Sequence, residues 1–212
     1  MTELAVLYSF RRCPYAMRAR MALLASGLTF ELREVSLKSK PAEMIAASAK
    51  ATVPVLLLAN AQVIDESLEI MRWALNYNDP EDWRAGDDKA LIAENDGAFK
   101  HHLDRYKYPN RHGSDPLHHR TAALAWLALL EQRLTVNANL CRNSRSLTDI
   151  AIMPFVRQFA ATDQSWFDAQ ALPGVQRWLQ SHITSPLFDA AMQRFPIWQP
   201  GNAPSDLSHP GG

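Results

Sequence analysis

The strongest constraint on this chain is a change of hydrophobic period part-way along it. Up to about residue 76, short apolar runs alternate with stretches whose apolar residues recur every three or four positions. Beyond that point only the second pattern remains. A short apolar run closed by turn residues suits a buried strand, and the longer period suits a helix. Residues 4–8, 29–35, 53–59 and 62–64 read as strands. Between them, a helix opens at Pro14, the first helical position that proline favours, and carries Met17, Met21, Leu24 and Leu28 at helical spacing. Gly27 sits where a left-handed C-terminal cap is wanted. Residues 41–49 and 67–75 are further helices, and Asn60-Ala61 makes a hairpin turn. The order is βαβ, then αββα.

Residues 77–86 are dense in Asn, Asp, Pro and Gly and lack an apolar period, so they read as a linker. From 87 to 198 every periodic segment is helical: 87 to about 108, one opened by Asp115-Pro116 and running to 134, then 146–161, 173–183 and 186–194. Residues 199–212, with Pro200, Pro204, Pro210 and Gly211-Gly212, read as a frayed tail. The expectation is an α/β domain at 1–76 and an all-α domain at 87–198.

Composition narrows the function. Apolar residues make up 47% of the 212, charged residues 21%, and the formal net charge is zero. A chain of that balance builds a core and does not coat nucleic acid or membrane through its overall charge. The apolar stretch near the N-terminus is too short for a secretory signal and is followed at once by Arg11 and Arg12. The expected location is therefore the cytoplasm. The two cysteines, Cys13 and Cys141, are then expected as free thiols.

Cys13-Pro14-Tyr15-Ala16 lies at a strand-to-helix junction. Unpaired backbone N–H groups and the positive end of the helix dipole point there, and both favour a thiolate over a thiol. Arg11, Arg12 and Arg18 stand close in sequence. The fourth residue is Ala16, so Cys13 closes no disulfide within the motif and needs an outside thiol to resolve it. A buried core cysteine is the plain alternative. Thr52-Val53-Pro54-Val55 enters a strand; a cis Val53–Pro54 bond would leave the Val53 backbone facing the sulfur, whereas an ordinary trans edge proline would do nothing chemical. Asp65-Glu66-Ser67-Leu68 precedes a helix. Ser67 is a candidate cap, and a helix start beside the Glu66 carboxylate suits the α-amino-acid end of a γ-glutamyl group, or is a plain cap.

Taken together, the Cys-Pro-Tyr turn, the Val-Pro before a strand, the Glu-Ser before a helix and the helical second half resemble the glutathione transferase superfamily. The cysteine is similar to that of its omega-like, glutaredoxin-related branch. The resemblance implies a thioredoxin-like N-terminal domain plus an all-α C-terminal domain, with glutathione as co-substrate in a cleft facing the first. It implies Cys13 as nucleophile, the Val53 backbone beside cis Pro54 pairing with the cysteinyl part of glutathione, and Glu66 and Ser67 holding the γ-glutamyl end. Lys40, before Pro41 and thirteen residues ahead of Val53, stands where omega-like members place a glutathione-contacting lysine. A homodimer is implied as well. Ser146-Leu147-Thr148-Asp149-Ile150-Ala151 resembles the family's N-capping box, a structural site. The loop Ser48-Ala49-Lys50-Ala51-Thr52 departs from the family by lacking a Pro or Gly.

His101-His102 and His118-His119 are set aside as metal ligands, because adjacent helical positions diverge by about 100° and neither pair chelates alone. Cys141 reads as a bystander, and Trp126, Trp166, Phe167 and Trp178 mostly as core. The expected function is glutathione-dependent thiol transfer or reduction through one cysteine. The rivals are a transferase that conjugates glutathione to apolar electrophiles, with Tyr8 or Ser9 as hydroxyl donor, and a non-catalytic binding protein of the same fold. No metal, nucleic-acid or membrane partner is expected.

Overall fold

The computed structural model describes residues 4–207. The chain runs β1 (Ala5–Ser9), α1 (Pro14–Ala25), β2 (Phe30–Glu34), α2 (Ala42–Ala47), β3 (Val55–Leu57), β4 (Val63–Ile64) and α3 (Ser67–Tyr77). There follow a 3-10 turn at Trp83–Gly86, α4 (Lys89–Glu94), a π turn at Asn95–Phe99, α5 (Lys100–Lys107) and α6 (Pro109–His112). Then come α7 (Pro116–Leu134), α8 (Leu147–Ala160), α9 (Gln164–Asp168), α10 (Pro173–Ile183), α11 (Pro186–Ala191) and β5 (Ser205–Asp206). The elements fall into two compact units. Among the described residues, one holds 4–80 and 185–207; the other is Glu81–Thr184.

In the first unit the strands form one sheet in the order β4-β3-β1-β2-β5. β1 and β2 are parallel, in register from Ala5 opposite Phe30 to Ser9 opposite Glu34. Parallel neighbours need a crossover, and α1 supplies it. β3 pairs with β1 and β4 with β3, both antiparallel. α1 packs against both α3 and α11. That position accounts for its composition: Ala16, Met17, Ala19, Met21, Ala22, Leu23 and Leu24 are all buried, so the helix has no solvent face. Each large apolar side chain so buried contributes about 1.5–3 kcal/mol. Gly27 ends the crossover at φ +71°, a left-handed conformation that costs glycine little.

The C-terminal part departs from expectation. Residues 185–198, read in the sequence as the end of the helical domain, belong to the first unit. The tail is not frayed throughout: β5 pairs antiparallel with β2, and the Trp198 N–H donates to the Glu34 carbonyl at 2.8 Å. A strand edge exposes unpaired backbone groups, and this return of the chain covers part of the β2 edge, at Glu31, Leu32 and Glu34. The last five positions of that tail, 208–212, lie outside the described residues.

The second unit is helical, with α8 at its centre; twelve of its residues, from Leu147 to Ala160, are buried. The expected linker is folded, with Trp83 fully buried and its indole N–H donating to Glu81 at 3.1 Å. The single helix expected over 87–108 is divided into α4, the π turn and α5. A π turn inserts one extra residue and re-aims the face that follows, which an apolar period does not reveal. Among the described residues no helix is long and apolar enough to cross a membrane.

Candidate active site

Cys13 is the N-cap of α1, with extended backbone (φ −77°, ψ 124°) and Pro14 in the first turn. Its N–H donates to the Phe10 carbonyl at 2.9 Å, and its own carbonyl accepts from Met17 at 3.0 Å. The turn thus holds the side chain at the end of the helix where free N–H groups gather. The thiol is half-buried against a cluster formed by Tyr8, Val35, Met44, Val53 and Val55. Sγ donates to the Val53 carbonyl at 3.7 Å, and the Val53–Pro54 peptide is cis. Cys13 and Val53, forty residues apart, are therefore together.

Behind this turn lies a charged group that the sequence reading missed. Arg20 is fully buried in α1; Nε donates to Ser9 Oγ at 2.8 Å and Nη1 to the Ala191 carbonyl at 3.2 Å. Its third partner is the Glu34 carboxylate, whose other oxygen accepts the Arg11 N–H at 2.8 Å. The pair pins the loop between β1 and Cys13 from below. Burial lowers the Arg20 guanidinium from its usual range, with Glu34 and the Cys13 charge opposing that shift. The available signal was two arginines, Arg18 and Arg20, in an otherwise apolar helix.

Glu66 and Ser67 meet at the start of α3, with their roles exchanged. Glu66 is the N-cap residue and Ser67 the first helical residue, buried, so Ser67 is not the cap that the sequence suggested. The reason is backbone conformation: Glu66 is extended (φ −110°, ψ 126°), as a capping position must be. The Ser67 hydroxyl accepts from Arg18 Nη1 at 3.4 Å, which ties α3 to the helix that Cys13 heads. Lys50, from the departing loop, pairs with Glu66 at 2.6 Å and Asp65 at 3.1 Å. Asp65 also accepts from the Ser48 hydroxyl at 2.7 Å, and Ser48 first, then Lys50, hold its carboxyl below the usual range. Lys40 stands apart from these groups, in a cleft of about 160 Å³ with Ser36, Ser39, Pro41 and Trp198.

The hydroxyls named for the conjugating alternative are engaged elsewhere. Tyr8 is 1% exposed and accepts from Arg33 at 2.8 Å, and burial raises its phenol above the usual range. Ser9 is fully buried beneath Arg20. Cys141 lines a separate cleft of about 430 Å³ with Asp88, Arg133, Val136, Asn137 and Leu140. Phe167 and Trp178 are buried; Trp126 stacks on Phe99 at 4.3 Å, and Trp166 carries the Arg120 guanidinium at 4.1 Å. The histidine pairs, divergent within each helix, meet between helices. His102 Nδ1 lies 2.8 Å from His119 Nδ1, and burial first, then the neighbouring histidines and Arg105, lower both rings below their ordinary range.

Residues 7–82 match the family described as glutathione S-transferase, N-terminal domain. A curated relative, glutathione S-transferase omega-2 of Mus musculus, is 39% identical over 62 residues. That match spans 29% of this chain and 25% of the relative's length. Solved structures agree over a longer reach. A glutathione transferase family member from Pseudomonas fluorescens, with two glutathione bound, superposes with TM-score 0.75 at 19% identity, covering 91% of this chain and 93% of that one. A glutathione transferase from Phanerochaete chrysosporium, in complex with oxidized glutathione, gives TM-score 0.76 at 15% identity, covering 89% and 94%. The chain has the glutathione transferase fold: a thioredoxin-like sheet domain and a largely helical remainder. Residues 7–82 match that family's N-terminal domain, and over the rest of the chain the likeness is one of fold.

Proposed function

We propose that the protein is a glutathione-dependent thiol transferase in which Cys13 is the sole nucleophile. The observation that carries the reading is the position of Sγ: at the head of α1, 3.7 Å from the Val53 carbonyl, with Ala16 where a resolving cysteine would stand. The family's N-terminal domain supports glutathione as the co-substrate, and the similarity to omega-2 favours a cysteine-type member. In this reading the Cys13 thiolate attacks the glutathionyl sulfur of a mixed disulfide. A Cys13–glutathione disulfide forms, and the substrate leaves as its thiolate. A second glutathione thiolate then attacks the glutathionyl sulfur, which releases glutathione disulfide and restores Cys13. The α1 N-terminus stabilises the thiolate as attacking and leaving group.

Glutathione is proposed to lie extended along the Val53 backbone, with its γ-glutamyl end at the start of α3. Ser67 and the α3 N–H groups would receive the carboxylate, and Glu66 the ammonium group once Lys50 yields it. Lys40 is proposed as a further glutathione contact. Reduction of dehydroascorbate-type substrates would use the same thiol. The protein is proposed to work in the cytoplasm as a homodimer.

The test is a paired assay on purified protein: reduction of a glutathione mixed disulfide and conjugation of a model electrophile, each with wild type and Cys13→Ser. The expected result is reduction by wild type and none by Cys13→Ser. Conjugating activity that survives Cys13→Ser, without reduction in the wild type, would overturn the reading. Ser67→Ala is expected to weaken glutathione binding; unchanged affinity would contradict the placement of the γ-glutamyl group.

A further inference from the structure

We propose that His101, His102 and His119 form a binding site for one late first-row divalent metal ion, of the zinc, cobalt, nickel or copper type. α5 and α7 pack against each other. α5 supplies His101 and His102, and the first turn of α7 supplies His119. One ring nitrogen from each of the three lies within 4.8 Å of the others. Two helices thus assemble what neither pair of adjacent histidines achieves alone.

The spacing fits metal ligation. Bonds of about 2.0–2.1 Å at angles of 90–110° separate two ligand nitrogens by about 2.9–3.4 Å. His102 Nδ1 and His119 Nδ1 stand 2.8 Å apart, so a few tenths of an ångström of opening seats an ion between them. Without an ion, two imidazole nitrogens at that distance must share one proton. The set is imidazole alone, which suits borderline metals and not magnesium or calcium. His119 and His102 are half-buried and His101 exposed, so the site faces solvent and leaves positions for water. The ring of His118 lies 5.1 Å from that of His119 and stands ready as a further neighbour. Arg105 is the opposing charge: it donates to His101 Nδ1 at 3.0 Å, which places that ring's proton on Nε2, so this bond must open before His101 ligates an ion. An ion here would cross-link α5 to α7 and raise the stability of the second unit by mass action.

The site is independent of Cys13. The test uses untagged full-length protein stripped of metal with a chelator. Zn²⁺ is titrated by calorimetry, and Co²⁺ by visible absorption, where nitrogen ligands give d–d bands without thiolate charge transfer. The expected result is one ion per chain. His102→Ala and His119→Ala should each weaken binding at least about 100-fold, since even outer-shell losses cost 10–100-fold. His112→Ala and Cys13→Ser should bind as wild type. In wild type, paramagnetic Cu²⁺ should first broaden the His102 and His119 ring resonances, a readout that needs no variant to fold. Wild-type affinity no greater than that of the His102→Ala/His119→Ala double variant, or broadening centred on other residues, would overturn the proposal.

Discussion

At the scale of single residues, a buried ion pair and a buried histidine give sharp tests. Arg20 and Glu34 face each other with almost no solvent contact. Removing one partner of such a pair leaves the other charged and uncompensated. Arg20→Met is therefore expected to cost about 3–5 kcal/mol in urea unfolding, and Arg20→Met with Glu34→Gln to recover part of it. His182 is 4% exposed, and its ring contacts Asn139 at 2.9 Å. Burial pushes its pKa down to about 4, against an ordinary 6.5; the Asp149 charge opposes that shift only in part. Above pH 6.5 the ring is neutral in both folded and unfolded chains. As the pH falls below that, the unfolded chain gains a proton that the folded one refuses, so stability drops until about pH 4. The total loss is about 3 kcal/mol, and His182→Gln should flatten that part of a plot of urea midpoint against pH.

At the scale of elements, the start of α8 joins three segments. Asp149, fully buried, accepts from the Ser146 N–H at 2.9 Å and hydroxyl at 2.6 Å, from the Leu140 N–H at 2.8 Å and from the Trp178 indole at 2.9 Å. Asp149→Ala leaves those donors unsatisfied and is expected to cost about 3–5 kcal/mol. Gly86 passes so close that a Cβ there would lie 2.5 Å from Ser146 Cβ. Gly86→Ala should therefore destabilise too, by about 1–3 kcal/mol. Both are checked by denaturant unfolding.

The elements that the sequence made legible share a cause. β1, α1 and the hairpin of β3 and β4 are marked by local signals: an apolar run, Pro14 at a helix start, Gly27 at its end. The Ser146–Asp149 cap was legible for the same reason. The illegible features depend on distant partners. β5 exists because β2 offers it an edge. The π turn at Asn95–Phe99 leaves the apolar period almost unchanged. α9 has five residues, too few to show a period. The meeting of Cys13 with Val53 and the helix start at Ser67 were readable from their turns, although the capping position there is Glu66. Arg20, Glu34 and the meeting of His102 with His119 were not, because each pairing joins separate elements.

At the scale of the whole molecule, the C-terminal return of the chain completes the first unit. Trp198 lies edge-on to Tyr8 at 6.2 Å and beneath the Arg33 guanidinium at 4.3 Å, and β5 closes the sheet beyond it. Removing residues 199–212 is expected to reopen the β2 edge and lower the unfolding midpoint, by about 2–4 °C for each kcal/mol lost. An unchanged midpoint would show that β5 contributes nothing to stability.

The role of Cys13 as a single-thiol centre is tested most directly by intact-mass analysis of the protein after mixing with glutathione disulfide. One glutathionyl group should add, map to the peptide containing Cys13, leave on treatment with excess glutathione, and fail to form in Cys13→Ser. No adduct, or an adduct confined to Cys141, would contradict the account.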